Sequence, residues 1–363
     1  MKFRRLYKRM LGTFAAAMLL AGATGTAMAA GTTSGTTISN QASVAYEVGG
    51  ISQTPATSNN YQFVVDTKIN LTVSTDDAAA IAVTPGTDDN VMTFTVLNSG
   101  NAAQDFSLSN VAVALGDPAK FGGLLDSINA NTVDIFVETA GGAGYQAASD
   151  TDTHINALAP DASIKVYIVS DFDIGYSDGA IASYHLVAEA RINDGAGTLG
   201  GALTETAGAD TEGSVDIVFA DGVGTDDASR DAKHSSQDDY EIAAAGLTVT
   251  KSSTIVWDPL NLFANPKRIP GAIVEYEIEI VNGAGASTAT AITVTDILPA
   301  ELGGVTDIEV TAPNLYGGAT TALTNASGDD EGEYTVGTNT VTVTDVSLIA
   351  GETATVTFRV TIQ

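Results

Sequence analysis

Apolar residues in this chain recur at every second position, in short runs cut off by turns rich in glycine and aspartate, and no window of 12 or more residues keeps a helical period. A period of two sends side chains alternately to the two faces of an extended strand, so each run must bury one face against a second layer. Val91-Met92-Thr93-Phe94-Thr95-Val96 ends in a polar turn from Leu97 to Asn101, and Phe106-Ser107-Leu108 resumes the pattern. Further runs lie at Val133 to Glu138, Ile164 to Val169, Ile181 to Ile192 and Val215 to Phe219. Strands spaced by turn signals in this way predict an all-β protein built of sandwiches rather than a parallel α/β sheet. Nearer the start, Val44 to Val48 runs into Gly49-Gly50 and Ile51, the pattern of a hairpin with a glycine turn. Tyr61 to Val65, with Ile69, Leu71 and Val73, is expected to join it in opening the first sandwich.

Residues 1–29 read as a cleaved secretory signal. Lys2, Arg4, Arg5, Lys8 and Arg9 stand before an apolar run from Leu11 to about Ala23, and Ala27-Met28-Ala29 is an A-x-A cleavage site. The run is too short to span a bilayer, and no later segment offers 18 apolar residues. The expected product is exported, to the cell surface, the medium or the periplasm. Removing those five basic residues leaves 10 Lys and Arg against 44 Asp and Glu, a formal charge of −34. A field of that sign repels nucleic acid and anionic lipid and attracts cations. Acidity of this degree can signal disorder, but 44% of the chain is hydrophobic and its Val, Ile and Thr content suits packed strands. With no Cys there is neither a disulfide framework nor a thiolate metal site, so stability must come from core burial, bound ions or assembly.

About 334 mature residues are enough for two or three domains of ordinary size. The reading divides them into an N-terminal β-sandwich over residues 30–220, an acidic linker or loop over residues 221–245, and a C-terminal immunoglobulin-like sandwich over residues 246–363. The linker assignment rests on the stretch from Asp221 to Glu241, which is acidic and lacks apolar alternation. The last unit has the clearest strands, at Ile273 to Ile280, Ile292 to Val294, Val305 to Val310, Thr340 to Val343 and Ala354 to Ile362.

Five segments of that last unit carry a resemblance: Leu247-Thr248-Val249-Thr250-Lys251, Ile269-Pro270-Gly271 through Tyr276, Val281-Asn282 followed by Gly283 and Ala284, Thr293-Val294-Thr295-Asp296-Ile297-Leu298-Pro299-Ala300, and Gly351-Glu352-Thr353 through Phe358. Together they resemble the bacterial and archaeal surface-protein repeat known as domain of unknown function eleven, here DUF-eleven. The resemblance covers about the last third of the chain, as one clear copy, and the segment from Gly35 to Val48 resembles the N-terminal region of such proteins. It implies an immunoglobulin-like sandwich on an extracytoplasmic, often surface-exposed protein, and implies no catalytic residue.

Four candidate sites follow from the residues. Gly175-Tyr176-Ser177-Asp178-Gly179 matches the G-x-S-x-G of serine hydrolases, but the residues after it read as a strand where a nucleophile elbow needs a helix, so a hairpin turn is expected. Acidic loops offer oxygen ligands for calcium, above all Asp221, Asp226, Asp227 and Asp231. Lys251 on a first strand with acids across the sandwich is similar to the lysine of intramolecular isopeptide domains; the last strand offers no Asn, so an ordinary strand residue is expected. Trp257, Leu260, Leu262 and Phe263 form an apolar cluster expected to pack as a loop against the sandwich or the neighbouring domain, with an exposed contact patch as the alternative. His154 and His234, in acidic surroundings without metal-ligand spacing, are expected to be solvated or in turns.

The functional expectation is an exported, non-enzymatic structural or interaction protein of the cell surface or extracellular matrix. Its partners would be other surface or matrix components or further copies of itself, through sheet edges. Calcium is the one cofactor the acidic loops could hold. The alternatives are a periplasmic or secreted carbohydrate-binding module and a secreted hydrolase.

Overall fold

The computed structural model describes residues 31–139 and 142–363; the signal expected over residues 1–29 lies outside the described residues. These fold as two immunoglobulin-like β-sandwiches, each with its own apolar core. Among the described residues the helical content is one 3-10 turn, Tyr316–Gly318, and no helix is long and apolar enough to cross a membrane.

The first unit contains β1 (Leu71–Thr75), β2 (Asn90–Asn98), β3 (Gln104–Ala112), β4 (Thr132–Val137), β5 (His154–Leu158), β6 (Ser163–Asp171), β7 (Ile181–Arg191) and β8 (Lys233–Ile242). One sheet has the order β4-β6-β2-β1, and the other β5-β3-β7-β8, with Ile81–Val83 pairing parallel to β8 at its edge. Met92, Phe94 and Val96 on alternate positions of β2 face the same core as Ala182, Tyr184 and Leu186 of β7. The second unit contains β9 (Leu247–Trp257), β10 (Ile273–Asn282), β11 (Ala289–Ile297), β12 (Leu302–Thr311), β13 (Thr340–Leu348) and β14 (Thr353–Ile362). Its sheets run β9-β10-β14-β12, extended by Thr321–Leu323, and β11-β13, extended by Gly332–Thr335.

The two units share a six-strand topology. The order β4-β6-β2-β1 reappears as β12-β14-β10-β9, and the pairing of β3 with β5 reappears as β11 with β13. Registers agree residue by residue: Leu71 opposes Asn98 and Val73 opposes Val96, as Leu247 opposes Asn282 and Val249 opposes Ile280. A buried asparagine ends the second strand of each. Asn98 donates through Nδ2 to the carbonyls of Ala102 and Leu158 and accepts from Gly100 N–H; Asn282 donates to Ser287 and Leu348 and accepts from Gly246 N–H. The duplication is hard to see in the sequence because the shared positions are apolar alternation and a lone asparagine.

Two expectations change. Residues 221–245 are not a linker: β8 occupies residues 233–242 and pairs with β7 over Ile181 to Glu189, so this segment completes the first sandwich. It escapes an apolar pattern because its buried positions include Ser235, Ser236, Asp238 and Asp239. Most of their polar groups are taken up by neighbours. Val73 N–H donates to Nδ1 of His234 at 3.0 Å, Thr75 N–H to Ser236 Oγ at 3.2 Å, the Thr75 hydroxyl to Asp238, and Phe121 N–H to Asp239 at 2.7 Å. His234 is thus a tie between β8 and β1 rather than a solvated side chain.

The second change concerns the N-terminal strands. Leu71–Thr75 enters the core as β1, but residues 37–64 leave the sandwich as one antiparallel β-ribbon. It is paired at Thr37 to Asn40 with Tyr61 to Val64, at Ser43-Val44 with Ala56-Thr57, and at Glu47-Val48 with Ile51-Ser52. Gly49 and Gly50 turn its tip with φ of 59° and 84°, a left-handed conformation open to glycine. The ribbon is rooted where Ser34 N–H donates to the Asn101 carbonyl and Gly35 N–H to the Val65 carbonyl.

Candidate functional site

The repeat exposes a difference between the units. In the first, β3 is hydrogen-bonded along its length to β7, and β8 then lies over the edge strand β1. Leu71 and Val73 of β1 are 0% and 4% exposed. In the second, β9 and β11 are edge strands and nothing among the described residues occupies the position of β7 and β8. Leu247 and Val249, the counterparts of Leu71 and Val73 by register, are 42% and 60% exposed. Between the two edges lies an open groove of about 370 Å³, walled by Leu247, Val249, Ile278 and Ile280 on one side and Ile292 and Val294 on the other. Lys251 ion-pairs with Asp296 across it and sits 4.4 Å from the centre of the Tyr276 ring, so it ties the two sheet edges by charge.

The sequence-predicted calcium residues have other partners. Asp221 is buried and accepts from the N–H groups of Asp231 and Ala232, each at 3.0 Å. Asp227 accepts from Gly224 N–H at 2.7 Å and from Ser235 Oγ at 2.5 Å. Asp231 accepts from Lys233 N–H at 3.0 Å, while Asp226 is exposed. These carboxylates shape the loop that leads into β8. The group that converges at metal-ligand spacing among the described residues is Asp66, Asp210 and Asp216, whose oxygens lie within 4.8 Å of one another. It sits beside the root of the ribbon, where Asp216 N–H donates to Asp66 Oδ1 at 2.9 Å. Asp66 is 144 residues before Asp210, so no local spacing marks the group.

Asp238 stands out electrostatically. Burial pushes its carboxyl up to about 7, against the lowering effect of hydrogen bonds from the Thr75 hydroxyl and the Asp239 N–H, and Asp77 raises it further. Asp258 shows the opposite balance. Burial alone would raise it, but N–H donors from Asn261, Lys267 and Leu260 together with the Asn261 side chain hold it near 2. That carboxylate organises the loop after β9, which was expected to pack on the sandwich. Instead the loop presents Leu260, Leu262 and Phe263 to solvent, because the loop is closed on the polar Asp258 rather than on its apolar residues.

Ser177 lies in the turn between β6 and β7, with Asp178 accepting from Ala244 N–H at 2.8 Å and Gly179 N–H donating to the Ile242 carbonyl. A strand follows that turn, as expected. On the outer face of β10, Glu275 pairs with Arg359 at 2.9 Å, and Arg359 also reaches Asp307 at 2.9 Å.

No family model matches this chain, and no curated protein matches it. Among solved structures it is similar to the class 5 fimbriae chaperone CfaA, at 13% identity and a TM-score of 0.24, over 77% of this chain and 83% of that one. It is also similar to the collagen-binding domain of the Erysipelothrix rhusiopathiae surface protein RspB, at 10% identity and a TM-score of 0.18, over 81% and 82%. A putative membrane-anchored protein of Corynebacterium diphtheriae matches at 9% identity and a TM-score of 0.20, over 90% and 89%. Scores of this size give no superposable whole, and the functional reading rests on the chain's own geometry.

Proposed function

We propose that this chain is an exported, non-enzymatic structural or interaction component of the cell surface or extracellular matrix, built on two immunoglobulin-like sandwiches of which the second is DUF-eleven-like. The observation that carries this reading is the placement of exposed apolar surface. Val44, Tyr46, Val48, Ile51, Tyr61 and Phe63 on the ribbon are between 46% and 69% exposed, and Leu247 and Val249 line an open groove. Large exposed apolar groups gathered on one element mark interaction surfaces rather than solvated ones. The remaining acidic surface keeps the protein soluble and disfavours indiscriminate contacts.

Immunogold electron microscopy of producing cells, with an antibody to the mature chain, tests the reading. Label on the cell surface, on filaments or in matrix is expected; label confined to the periplasm overturns it. A carbohydrate-binding role is the second reading, favoured by Tyr61 and Phe63 lining a cleft with Asp210 and Glu212, and a glycan array decides it.

A further inference from the structure

We propose that the open edge of the second sandwich is completed by the β-ribbon, residues 37–64, of a second copy of this chain, so that copies join head to tail. The inference deepens the structural reading above and rests on it for its biological setting.

The first unit shows what the edge accepts. The space beside β1 and β3 takes two adjacent antiparallel strands, β7 and β8, one hydrogen-bonding to β3 and the other covering β1. The same space beside β9 and β11 is bordered by two unpaired strand edges and by Leu247 and Val249, whose counterparts in the first unit are buried. The ribbon is a two-stranded antiparallel unit with one apolar face. Its cross-strand pairs Ile38 with Phe63, Val44 with Ala56 and Val48 with Ile51 are apolar, whereas Ser39 with Gln62, Ser43 with Thr57 and Glu47 with Ser52 are polar. A two-stranded ribbon by itself is marginal in water and gains stability when a third strand or a packed layer is added. Docked in the groove, one leg would extend the sheet of β11 and the apolar face would cover β9.

Charge selects a second copy as the occupant. A chain of mature charge −34 repels itself unless the meeting surfaces lack acids, and residues 37–64 carry Glu47 as their one charged group. The groove walls are apolar, and their single acid, Asp296, is neutralised by Lys251. Ribbon and groove are different surfaces of one chain, so the contact is heterologous and propagates unless its rotation happens to close a ring.

The test uses the full exported chain in sedimentation velocity over a range of concentrations. Ribbon and groove are each altered at exposed positions, as Val44→Asp with Ile51→Asp, and as Leu247→Asp with Val249→Asp, and each variant is checked for a retained melt. The wild type is expected to form a concentration-dependent ladder of oligomers, each double variant to sediment as a monomer, and an equimolar mixture of the two to stop at dimers, since one intact ribbon and one intact groove remain. A wild type that stays monomeric, variants that still polymerise, or a mixture that stays monomeric each overturns the proposal. None of these results depends on where the immunogold label falls, so failure of assembly and failure of surface localisation are separable. With no cysteine in the chain, Ile51→Cys in one copy and Val249→Cys in another supply a single crosslink that is expected to form between copies.

Discussion

Asn98 and Asn282 play one role twice. Each sits at the end of a strand where the chain must cross between sheets, and each satisfies carbonyls that the crossing leaves unpaired. The backbone N–H of Asp161, at φ 60°, returns to the Asn98 carbonyl at 2.8 Å, and that of Gly351, at φ 77°, returns to the Asn282 carbonyl at 2.9 Å, so the turn before the last ladder strand is shared as well. Asp238 is the residue whose chemistry is least expected from sequence, since an Asp between Gln and Asp reads as surface. Its carboxyl is 0% exposed and raised to about 7. The folded protein therefore holds a proton there that the unfolded chain releases near pH 4. Stability contributed by this group is full at pH 4 and below, falls as pH rises to about 7, and is level above that. Asp238→Asn removes the slope. In thermal melts the variant is expected to exceed wild type at pH 8, by about 1–3 kcal/mol, and to match it near pH 4. An equal difference at both pH values would show that the carboxyl does not titrate in this window.

At the scale of elements, the acidic character of the chain divides into carboxylates with backbone work and carboxylates that converge. Asp221, Asp227 and Asp231 belong to the first kind, as acceptors that fold the loop before β8. Asp66, Asp210 and Asp216 belong to the second, with oxygens within 4.8 Å of one another. A calcium ion held there would join Asp66, which adjoins the ribbon, to Asp216 beside the Ile217–Phe219 strand. Calcium is expected to raise the melting temperature by a few degrees and chelator to reverse it, with the effect lost in Asp66→Asn with Asp210→Asn but kept in Asp226→Asn. A melt indifferent to calcium and chelator removes the cation from the account. The strands themselves were legible wherever one face was apolar, as in β2, β10 and β14. The ribbon was legible only as a hairpin, since nothing local says whether an amphipathic hairpin lies on its own sandwich or apart from it. β8 was missed because its first buried positions, Ser235, Ser236, Asp238 and Asp239, are polar, with Tyr240 and Ile242 apolar only at its end, and because its partners, His234 to Val73 and Asp238 to Thr75, are about 160 residues away in sequence.

The two units share a six-strand topology, to which the first adds β7 and β8, and have separate apolar cores that share no residue. Calorimetry should therefore resolve two transitions rather than one. Asn98→Ala is expected to lower one of them and Asn282→Ala the other, each by about 2–4 kcal/mol, because truncation leaves buried carbonyls without donors. A single transition moved equally by both changes would show that the units unfold together. Composition and periodicity alone were enough for the all-β class, a strongly acidic chain and the strands that bury an apolar face, because a period of two is written in neighbouring residues; the immunoglobulin-like reading of the second unit came from its resemblance. Only the tertiary structure decided that residues 233–242 close the first sandwich, that residues 37–64 stand apart as a ribbon, and that the second unit leaves Leu247 and Val249 uncovered. Those outcomes depend on what meets in space, as β8 meets β1 across about 160 residues of chain, and a strand's own alternation says which face is buried but not what will cover it.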